Sequence, residues 1–216
     1  MQLHTFVHGP FENNVYVLVD EATREGLLID PAPESEPVLD FVAREAIAVR
    51  RIVNTHAHID HAFHDALYRE RTGGLLTLHK DDVWLLKELP RHAAWFGLFA
   101  KDPPEPDHLL QGGEVLEVGG ISLSVLHTPG HTPGGICLYV ASEGVLFSGD
   151  TLFARSIGRT DLPGGDTRAL LASIRQKLFT LPDDTVVYPG HGPQTTIADE
   201  KHYNPFLKGS PLIVLE

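Results

Sequence analysis

Short apolar runs separated by turn-forming residues recur along the whole chain. They are rich in Val, Ile and Leu and bounded by Gly, Pro, Asn or Asp, a pattern typical of β-strands. The predicted strands occupy residues 14–20, 26–30, 51–54, 74–78, 114–118, 121–126, 135–140, 144–149 and 185–190. Strands therefore occur in both halves of the sequence.

Segments of helical periodicity lie between these strands. The predicted helices occupy residues 34–48, 60–72, 80–88 and 166–178. In the last segment, apolar residues recur at the spacing of one helix face. The proline-rich residues 101–107 indicate a surface connection. Together the elements predict an α/β (α+β) fold in one domain, residues 1–216, with sheets packed together and helices outside them.

Composition excludes several classes of protein. No apolar run approaches the roughly 20 residues that span a membrane, so we expect no membrane partner. The N-terminus lacks a basic region before an apolar segment, so we read no secretory signal and expect a cytoplasmic protein. With 17 Lys and Arg against 29 Asp and Glu, the net charge of −12 disfavours nucleic acid as a partner. The single cysteine, Cys137, is expected to pack rather than react.

Four polar clusters each begin where a predicted strand ends. They place His56, His131, Asp150 and His191 just after strands. Because strand-end loops meet at one edge of a sheet, we expect these side chains to converge. With 13 histidines and one cysteine in the chain, imidazole and carboxylate would have to hold any metal there.

The densest cluster is THAHIDH, residues 55–61. In extended backbone His56 and His58 point the same way and can reach one ion. Asp60 and His61 open the next helix, where they can face a second ion. Seven histidines stand alone in the sequence, outside these clusters, and are expected to have no role in metal binding: His4, His8, His79, His92, His108, His127 and His202.

At this level of detail the sequence resembles the metallo-β-lactamase superfamily. The H-x-H-x-D-H string at residues 56–61 matches its signature, and His131, Asp150 and His191 match its later ligands in order. Within the superfamily, the stretches GDTLFARSIGRTDLPGGD, PGHGP and HYNPFL resemble the short bacterial type II glyoxalases, which are hydroxyacylglutathione hydrolase-like proteins. The resemblance implies a four-layer αββα sandwich with a metal site at one edge of its two sheets.

The resemblance also implies roles for individual residues. The first metal would be held by His56, His58 and His131. The second would be held by Asp60, His61 and His191, with Asp150 bridging both ions. Asp60 and Asp150 would be catalytic together with a hydroxide shared by the metals. Two divalent ions are implied; zinc is expected, with iron and manganese as alternatives.

The function implied is hydrolysis of a small-molecule thioester, a 2-hydroxyacyl thioester such as S-lactoylglutathione. Full-length type II glyoxalases hold glutathione partly through a C-terminal helical region, which we expect this chain to lack. Arg155, Arg159 and Lys208 are the cations that could replace it, and Arg159 fits the short-form motif best. One departure from the family is that Ala62, Phe63 and His64 follow the signature; we expect His64 to be solvated on its helix.

Two other classes of function stay open. Two histidines and a carboxylate also form a facial triad for mononuclear iron, as in the persulfide dioxygenases of the same superfamily. His56, His131 and Asp150 would supply that triad. A true β-lactamase and a non-catalytic metal-binding module fit the sequence less well.

Overall fold

The first of two sheets contains the six N-terminal strands. The computed structural model describes residues 1–208 of the chain. The strands are β1 (Gln2–His8), β2 (Asn13–Val19), β3 (Glu25–Ile29), β4 (Ala48–Val53), β5 (Leu75–His79) and β6 (His108–Leu110), adjacent in that order. β1, β2 and β3 pair antiparallel, whereas β3 to β6 pair parallel.

The second sheet contains six strands from the C-terminal half, and a two-stranded ribbon lies beside it. The elements are β7 (Val115–Val118), β8 (Ile121–His127), β9 (Ile136–Val140), β10 (Val145–Gly149), β11 (Leu152–Phe153), β12 (Ser156–Ile157), β13 (Val186–Pro189) and β14 (Thr195–Thr196). The sheet order is β14-β13-β10-β9-β8-β7, and β11 pairs with β12 in the ribbon. β10 and β13 run parallel, which brings their C-terminal ends to one edge.

Helices cover the outer faces of both sheets. They are α1 (Glu36–Arg44), α2 (Ile59–Ala62), α3 (Asp65–Thr72), α4 (Val83–Lys87), α5 (Leu89–Trp95), α6 (Thr167–Ser173) and α7 (Ile197–Tyr203). A 3₁₀ turn at Lys80–Asp82 precedes α4, and a π-helical turn at Ile174–Leu178 extends α6.

The core has separate layers between and outside the sheets. In β2, Tyr16 and Leu18 point into the layer between the sheets, where they join Phe147 of β10. Val17, on the opposite face of β2, packs with Val38 of α1. On the far side, α6 packs against the outer face of the second sheet through apolar side chains such as Leu170. The architecture is therefore the four-layer αββα sandwich that the sequence predicts.

The nine predicted strands are all present, with ends shifted by three residues at most. Elements that the sequence reading missed include β1, β6, α5, α7 and the short β11, β12 and β14. The predicted helix over residues 60–72 is divided into α2 and α3. The Asn54 side-chain amide donates to the His61 carbonyl and to Asp65 Oδ1, both at 3.0 Å. The His61 carbonyl therefore has a hydrogen-bond partner where the helix is interrupted.

Three further expectations concern Cys137, residues 101–107 and the membrane. Cys137 is fully buried, and burial raises the pKa of its thiol to about 11, as expected of a packed cysteine. Residues 101–107 form no helix or strand. Among residues 1–208, every helix falls short of the length and apolar character that crossing a membrane requires.

Candidate metal centre

The predicted ligands converge at one edge of the sandwich. His56 and His58 lie just after β4, and His131 lies in the loop after β8. Asp150 follows β10 and His191 follows β13. Strand ends from both sheets therefore deliver these side chains to a common site.

Three imidazoles form the first group of donors. His131 Nε2 lies 3.2 Å from His56 Nε2 and 2.9 Å from His58 Nδ1. One nitrogen from each of the three rings lies within 4.8 Å of the others. The pair that sequence spacing placed on one side, His56 and His58, thus meets a third histidine from the other sheet.

The outer hydrogen bonds of two of these rings fix which nitrogens carry protons. His131 Nδ1 donates to the Arg159 carbonyl at 2.7 Å. The Thr55 hydroxyl donates to Asp30 Oδ2, so at 3.2 Å it accepts from His56 Nδ1. In the neutral rings, the Nε2 atoms of His56 and His131 are then both unprotonated and face each other. Such lone pairs repel unless a cation lies between them.

A carboxylate and two imidazoles form the second group. Asp60 Oδ2 lies 3.0 Å from His191 Nε2 and 3.6 Å from His61 Nε2. The other nitrogen of each ring is already engaged: His191 Nδ1 donates to the Phe11 carbonyl, and His61 Nδ1 donates to Asp30, both at 2.9 Å. The free Nε2 atoms and the carboxylate therefore point toward one another.

Asp150 lies between the two groups. Its Oδ2 is 3.5 Å from His131 Nε2 and 3.6 Å from His191 Nε2, and its Oδ1 is 3.4 Å from His61 Nε2. Asp150 Oδ1 and His61 Nε2 are buried polar atoms without hydrogen-bond partners. Buried polar atoms left in this way are costly, and divalent cations at these positions would satisfy them. The residues present therefore fit a two-metal centre.

The protonation of these groups follows from their surroundings. Burial, together with neighbouring imidazoles, lowers the pKa of His56 far below its usual value and that of His58 to about 3. Burial also opposes protonation of His61, but Asp150, Asp60 and Asp30 overcome it and raise the pKa of His61.

The pKa values of Asp60, Asp150 and His191 are also shifted. Burial opposes charge on Asp60, Asp150 and His191. Contacts within the cluster overcome burial, lowering the pKa of both carboxyls and raising that of His191. The carboxylates are therefore charged, as metal ligands must be.

Asp30 supports the second group from behind and was not identified from the sequence. It ends the predicted strand GLLID, and its φ of 57° lies in the left-handed region. Besides His61, it accepts from the Thr55 amide and hydroxyl, both at 2.7 Å. The strand-end rule that found the ligands applies equally to Asp30 and could have identified it.

Asp82 holds two ligand-bearing loops together and was also missed. It accepts from the Ala57 amide at 3.1 Å, between His56 and His58. It also accepts from the Thr132 hydroxyl at 2.8 Å and the Gly134 amide at 2.6 Å, in the loop that carries His131. Nothing in the sequence near Asp82 marks it, because its partners come from distant segments.

Close packing around the centre requires Gly190, one residue before His191. A Cβ at this position would overlap Asp150 Oδ1 and lie 2.7 Å from His61 Cε1. A side chain there would displace atoms of both ligand groups.

The residues proposed for substrate binding differ in position. Arg159 lines the same cleft as His131 and Asp150. Its guanidinium makes a two-bond pair with Asp161, at 2.7 and 2.8 Å. Arg155 instead pairs with Glu200 of α7, and Lys208 lies over the Tyr203 ring.

His64 lies outside both donor groups. Its Nε2 is 3.2 Å from Glu36 Oε1, and its side chain is only 13% exposed. The expectation that His64 is solvated on a continuous helix was therefore wrong. The helix is interrupted between α2 and α3, and His64 packs toward α1.

Another group of donors lies away from the centre, formed by His79, Asp81 and His127. The two rings stack 4.0 Å apart with planes 14° from parallel. Stacked rings direct their in-plane lone pairs side by side rather than to one point. Lys177 also contacts the His127 carbonyl. The arrangement is that of packed histidines, so we assign no ion to it.

Comparison with known proteins places most of the chain in a family. The model of the metallo-β-lactamase superfamily matches residues 8–191. The hydroxyacylglutathione hydrolase GloC of Haemophilus influenzae is 37% identical over 91% of this chain and 93% of its own length. The probable metallo-hydrolase YqgX of Bacillus subtilis is 36% identical over 94% of this chain and 96% of its own.

Solved structures agree with this placement. The B3 metallo-β-lactamase BLEG-1 has a TM-score of 0.89 and 40% identity, covering 96% of this chain and 100% of its own. TTHA1623 in a di-iron-bound form has a TM-score of 0.86 and 38% identity, covering 94% and 100%. ETHE1 from Myxococcus xanthus has a TM-score of 0.81 and 31% identity, covering 95% and 84%. This chain belongs to the metallo-β-lactamase superfamily, whose members bind divalent metals.

Proposed function

We propose that the protein is a metal-dependent hydrolase that cleaves a 2-hydroxyacyl thioester such as S-lactoylglutathione into an acid and a thiol. The observation that carries the proposal is the pair of donor groups with Asp150 between them. Its carboxylate oxygens lie 3.4 to 3.6 Å from imidazoles of both groups. That arrangement suits two ions that act on one substrate.

In this proposal each donor has an assigned place. The first ion would be held by His56, His58 and His131, and the second by Asp60, His61 and His191. Asp150 would contribute a ligand to both ions. Zinc is the expected metal, with iron or manganese as alternatives, since all three accept imidazole and carboxylate.

Divalent ions in such a site lower the pKa of water toward neutrality and polarise a carbonyl. The chain's own residues position that chemistry. Asp150 and Asp60 supply negative charge among five imidazoles, and their lowered pKa values keep both carboxylates charged. Asp30 orients His61 through its Nδ1, and the Phe11 and Arg159 carbonyls orient His191 and His131 in the same way.

The leaving group favours a thioester over an amide. A thiolate departs unaided near neutral pH because the pKa of a thiol is about 8.5, whereas an amine must first gain a proton from an acid. The titratable groups that line the cleft, apart from Arg159, are donors of the centre and His92. Burial lowers the pKa of His92, so it is a poor proton donor at neutral pH. The site therefore suits a substrate that needs no added proton.

The relatives support the same assignment. One is named as a hydroxyacylglutathione hydrolase and another as a probable metallo-hydrolase. A third was solved with two irons, which supports a site for two ions. Arg159 is the proposed contact for a carboxylate of the thiol carrier, because it lines the cleft and its side chain is 61% exposed.

The direct test is hydrolysis of S-lactoylglutathione by protein loaded separately with zinc, iron and manganese. Release of free thiol, followed with a thiol reagent, is the expected result. The Asp150→Ala variant is expected to lose most of this thiol release. If wild-type protein that holds two ions hydrolyses no acyl thioester, the proposed function is wrong.

The second candidate is a mononuclear-iron persulfide dioxygenase. The observation that favours it is a facial set within the centre: His131 Nε2 lies 3.2 Å from His56 Nε2 and 3.5 Å from Asp150 Oδ2. Such an enzyme would consume O₂ when glutathione persulfide is added, and it would need one iron. An oxygen electrode separates the two candidates, because hydrolysis consumes no O₂.

A further inference from the structure

Large aromatic side chains border the metal centre while exposed to water. Trp95, at the end of α5, is 63% exposed, and Phe96 is 55% exposed. The Phe96 ring makes an edge contact with Phe11 at 5.1 Å between centroids. Exposed apolar groups that cluster in this way mark a binding surface. We call Phe11, Trp95 and Phe96 the aromatic wall.

The aromatic wall and the metal ligands belong to one cleft. A cavity of about 210 Å³ is lined by all three aromatic residues and by His58, Asp60, His131 and Asp150. A molecule bound at the ligands therefore lies in the same cleft as the aromatic wall. Its apolar part would cover apolar surface that now faces solvent, which is favourable.

The backbones of the aromatic wall and of Arg159 contact different donor groups. The wall adjoins the second donor group, because the Phe11 carbonyl accepts from His191. Arg159 adjoins the first donor group, because its carbonyl accepts from His131. Arg159 is the only basic side chain of the lysine or arginine type among the described residues that line the cleft. Arg91 lies 5.7 Å from the Trp95 ring but is paired with Glu88 at 2.6 Å.

We propose that the substrate's acyl group carries an apolar ring or branch that packs on the aromatic wall, while an anionic thiol carrier lies toward Arg159. The inference rests on the proposed thioester hydrolysis and narrows it. A single arginine, already shared with Asp161, can anchor one carboxylate of the carrier. The aromatic wall offers rings, and the Arg91 cation beside it is paired with Glu88 and does not line the cleft, so the wall suits the acyl side.

The chemical step is the same for an acyl group with an apolar ring or branch as for a lactoyl group. Water adds its hydroxyl to the acyl carbon, and the C–S bond breaks with its electron pair leaving on sulfur. The remaining proton of the water goes to the thiolate, so the products are the carboxylic acid and the thiol. No oxidant or further reactant is needed.

The test compares two thioesters that differ only in the acyl side chain. S-mandeloylglutathione carries a phenyl group where S-lactoylglutathione carries a methyl group. We expect kcat/KM for the mandeloyl ester to be at least roughly tenfold higher, in the range that pocket contacts with extra apolar groups produce. Trp95→Ala and Phe96→Ala should remove most of that preference, because each should lower kcat/KM for the mandeloyl ester more than kcat/KM for the lactoyl ester.

Phe99→Ala is the matched control, because Phe99 follows on the same segment, is 90% exposed and does not line the cleft. It should keep the wild-type preference. Equal kcat/KM values for the two esters in wild type, or a preference that survives both wall substitutions, would overturn the inference. Thermal unfolding of each variant checks that the fold is intact.

A binding measurement separates this inference from the proposed function. The chain has two tryptophans, so Trp84→Phe leaves Trp95 as the sole one. Titration of that protein with mandelate should change the Trp95 fluorescence, whereas lactate at the same concentration should not. Mandelate binding without thioester hydrolysis would support the apolar site and contradict the hydrolase. Thioester hydrolysis without a mandelate response would support the hydrolase and contradict the apolar site.

Discussion

Asp30 and His61 form a buried carboxylate–imidazole pair behind the metal centre. His61 Nδ1 donates to Asp30 Oδ2 at 2.9 Å, and neither side chain is more than 1% exposed. The bond fixes the ring so that Nε2 points at Asp60 and Asp150. The same carboxylate binds Thr55, which neighbours His56, so one residue orients donors of both groups.

Asp30→Asn should therefore weaken metal binding without removing a ligand. Loss of a carboxylate that orients a ligating histidine typically reduces metal affinity by about 10–100-fold. Competition with a chromogenic chelator measures the affinity. Asp183→Asn, which changes an exposed carboxyl paired with Lys201, is the control and should bind metal as wild type does. Equal affinities in both variants would show that Asp30 does not orient the site.

Asp82→Asn should lower the stability of the fold and of the centre together. The Asp82 carboxylate accepts hydrogen bonds from Ala57, Thr132 and Gly134. An asparagine at this position has one NH₂ group in place of an oxygen, and that group cannot accept a hydrogen bond. Loss of hydrogen bonds to a buried charged group costs about 1.5–3 kcal/mol of unfolding free energy. Urea denaturation of the metal-free protein measures it. Asp184→Asn, at an exposed position, is expected to unfold at the wild-type urea concentration.

Metal binding at the second group should depend on pH more than binding at the first. In the metal-free protein the pKa values of His61 and His191 are raised, so protons compete with metal near neutral pH. As pH rises through these raised values, the protons leave and metal affinity increases. The pKa of His58 is lowered to about 3, so its nitrogen is free throughout this range.

Acidification should therefore release the ion of the second group first. Dialysis at a series of pH values between about 8 and 5, followed by metal analysis, measures the loss. Calorimetry in buffers of different ionisation enthalpy counts the protons displaced by each ion. Loss of both ions in a single step, with no proton release, would contradict the assignment.

Asp150→Ala should reduce activity far more than His64→Ala. Asp150 faces both donor groups, whereas His64 packs toward Glu36 of α1. Loss of the bridge should lower kcat by at least about 100-fold, within the range of preorganised electrostatic groups. His64→Ala should keep kcat within about threefold, since its ring meets neither donor group. Similar losses in the two variants would mean that the site is misassigned.

The convergence of four donors could be predicted from the sequence because each follows an apolar run that forms a strand. His56, His131, Asp150 and His191 follow apolar strands, and strands that run in the same direction have their C-terminal ends at a shared edge. The H-x-H-x-D-H spacing predicts the division into two groups, because it places Asp60 and His61 where the strand-end loop turns into a helix.

The residues that support the site were harder to predict because their contacts are distant in sequence. Asp82 binds the Gly134 amide across 52 positions, and no local pattern records such a contact. The break between α2 and α3 has the same origin, since Asn54 satisfies the His61 carbonyl from outside the helix. β1 was missed because its side chains are all exposed or only partly buried, and so it lacks an apolar run.

The most direct test of the two-metal centre is the metal content of protein purified without added metal or chelator. Elemental analysis should find about two divalent ions per chain, as two donor groups joined by a bridging carboxylate require. His61→Ala, which removes a donor of the second group alone, should hold about one ion. About one iron per wild-type chain would contradict the two-metal hydrolase and favour the mononuclear dioxygenase.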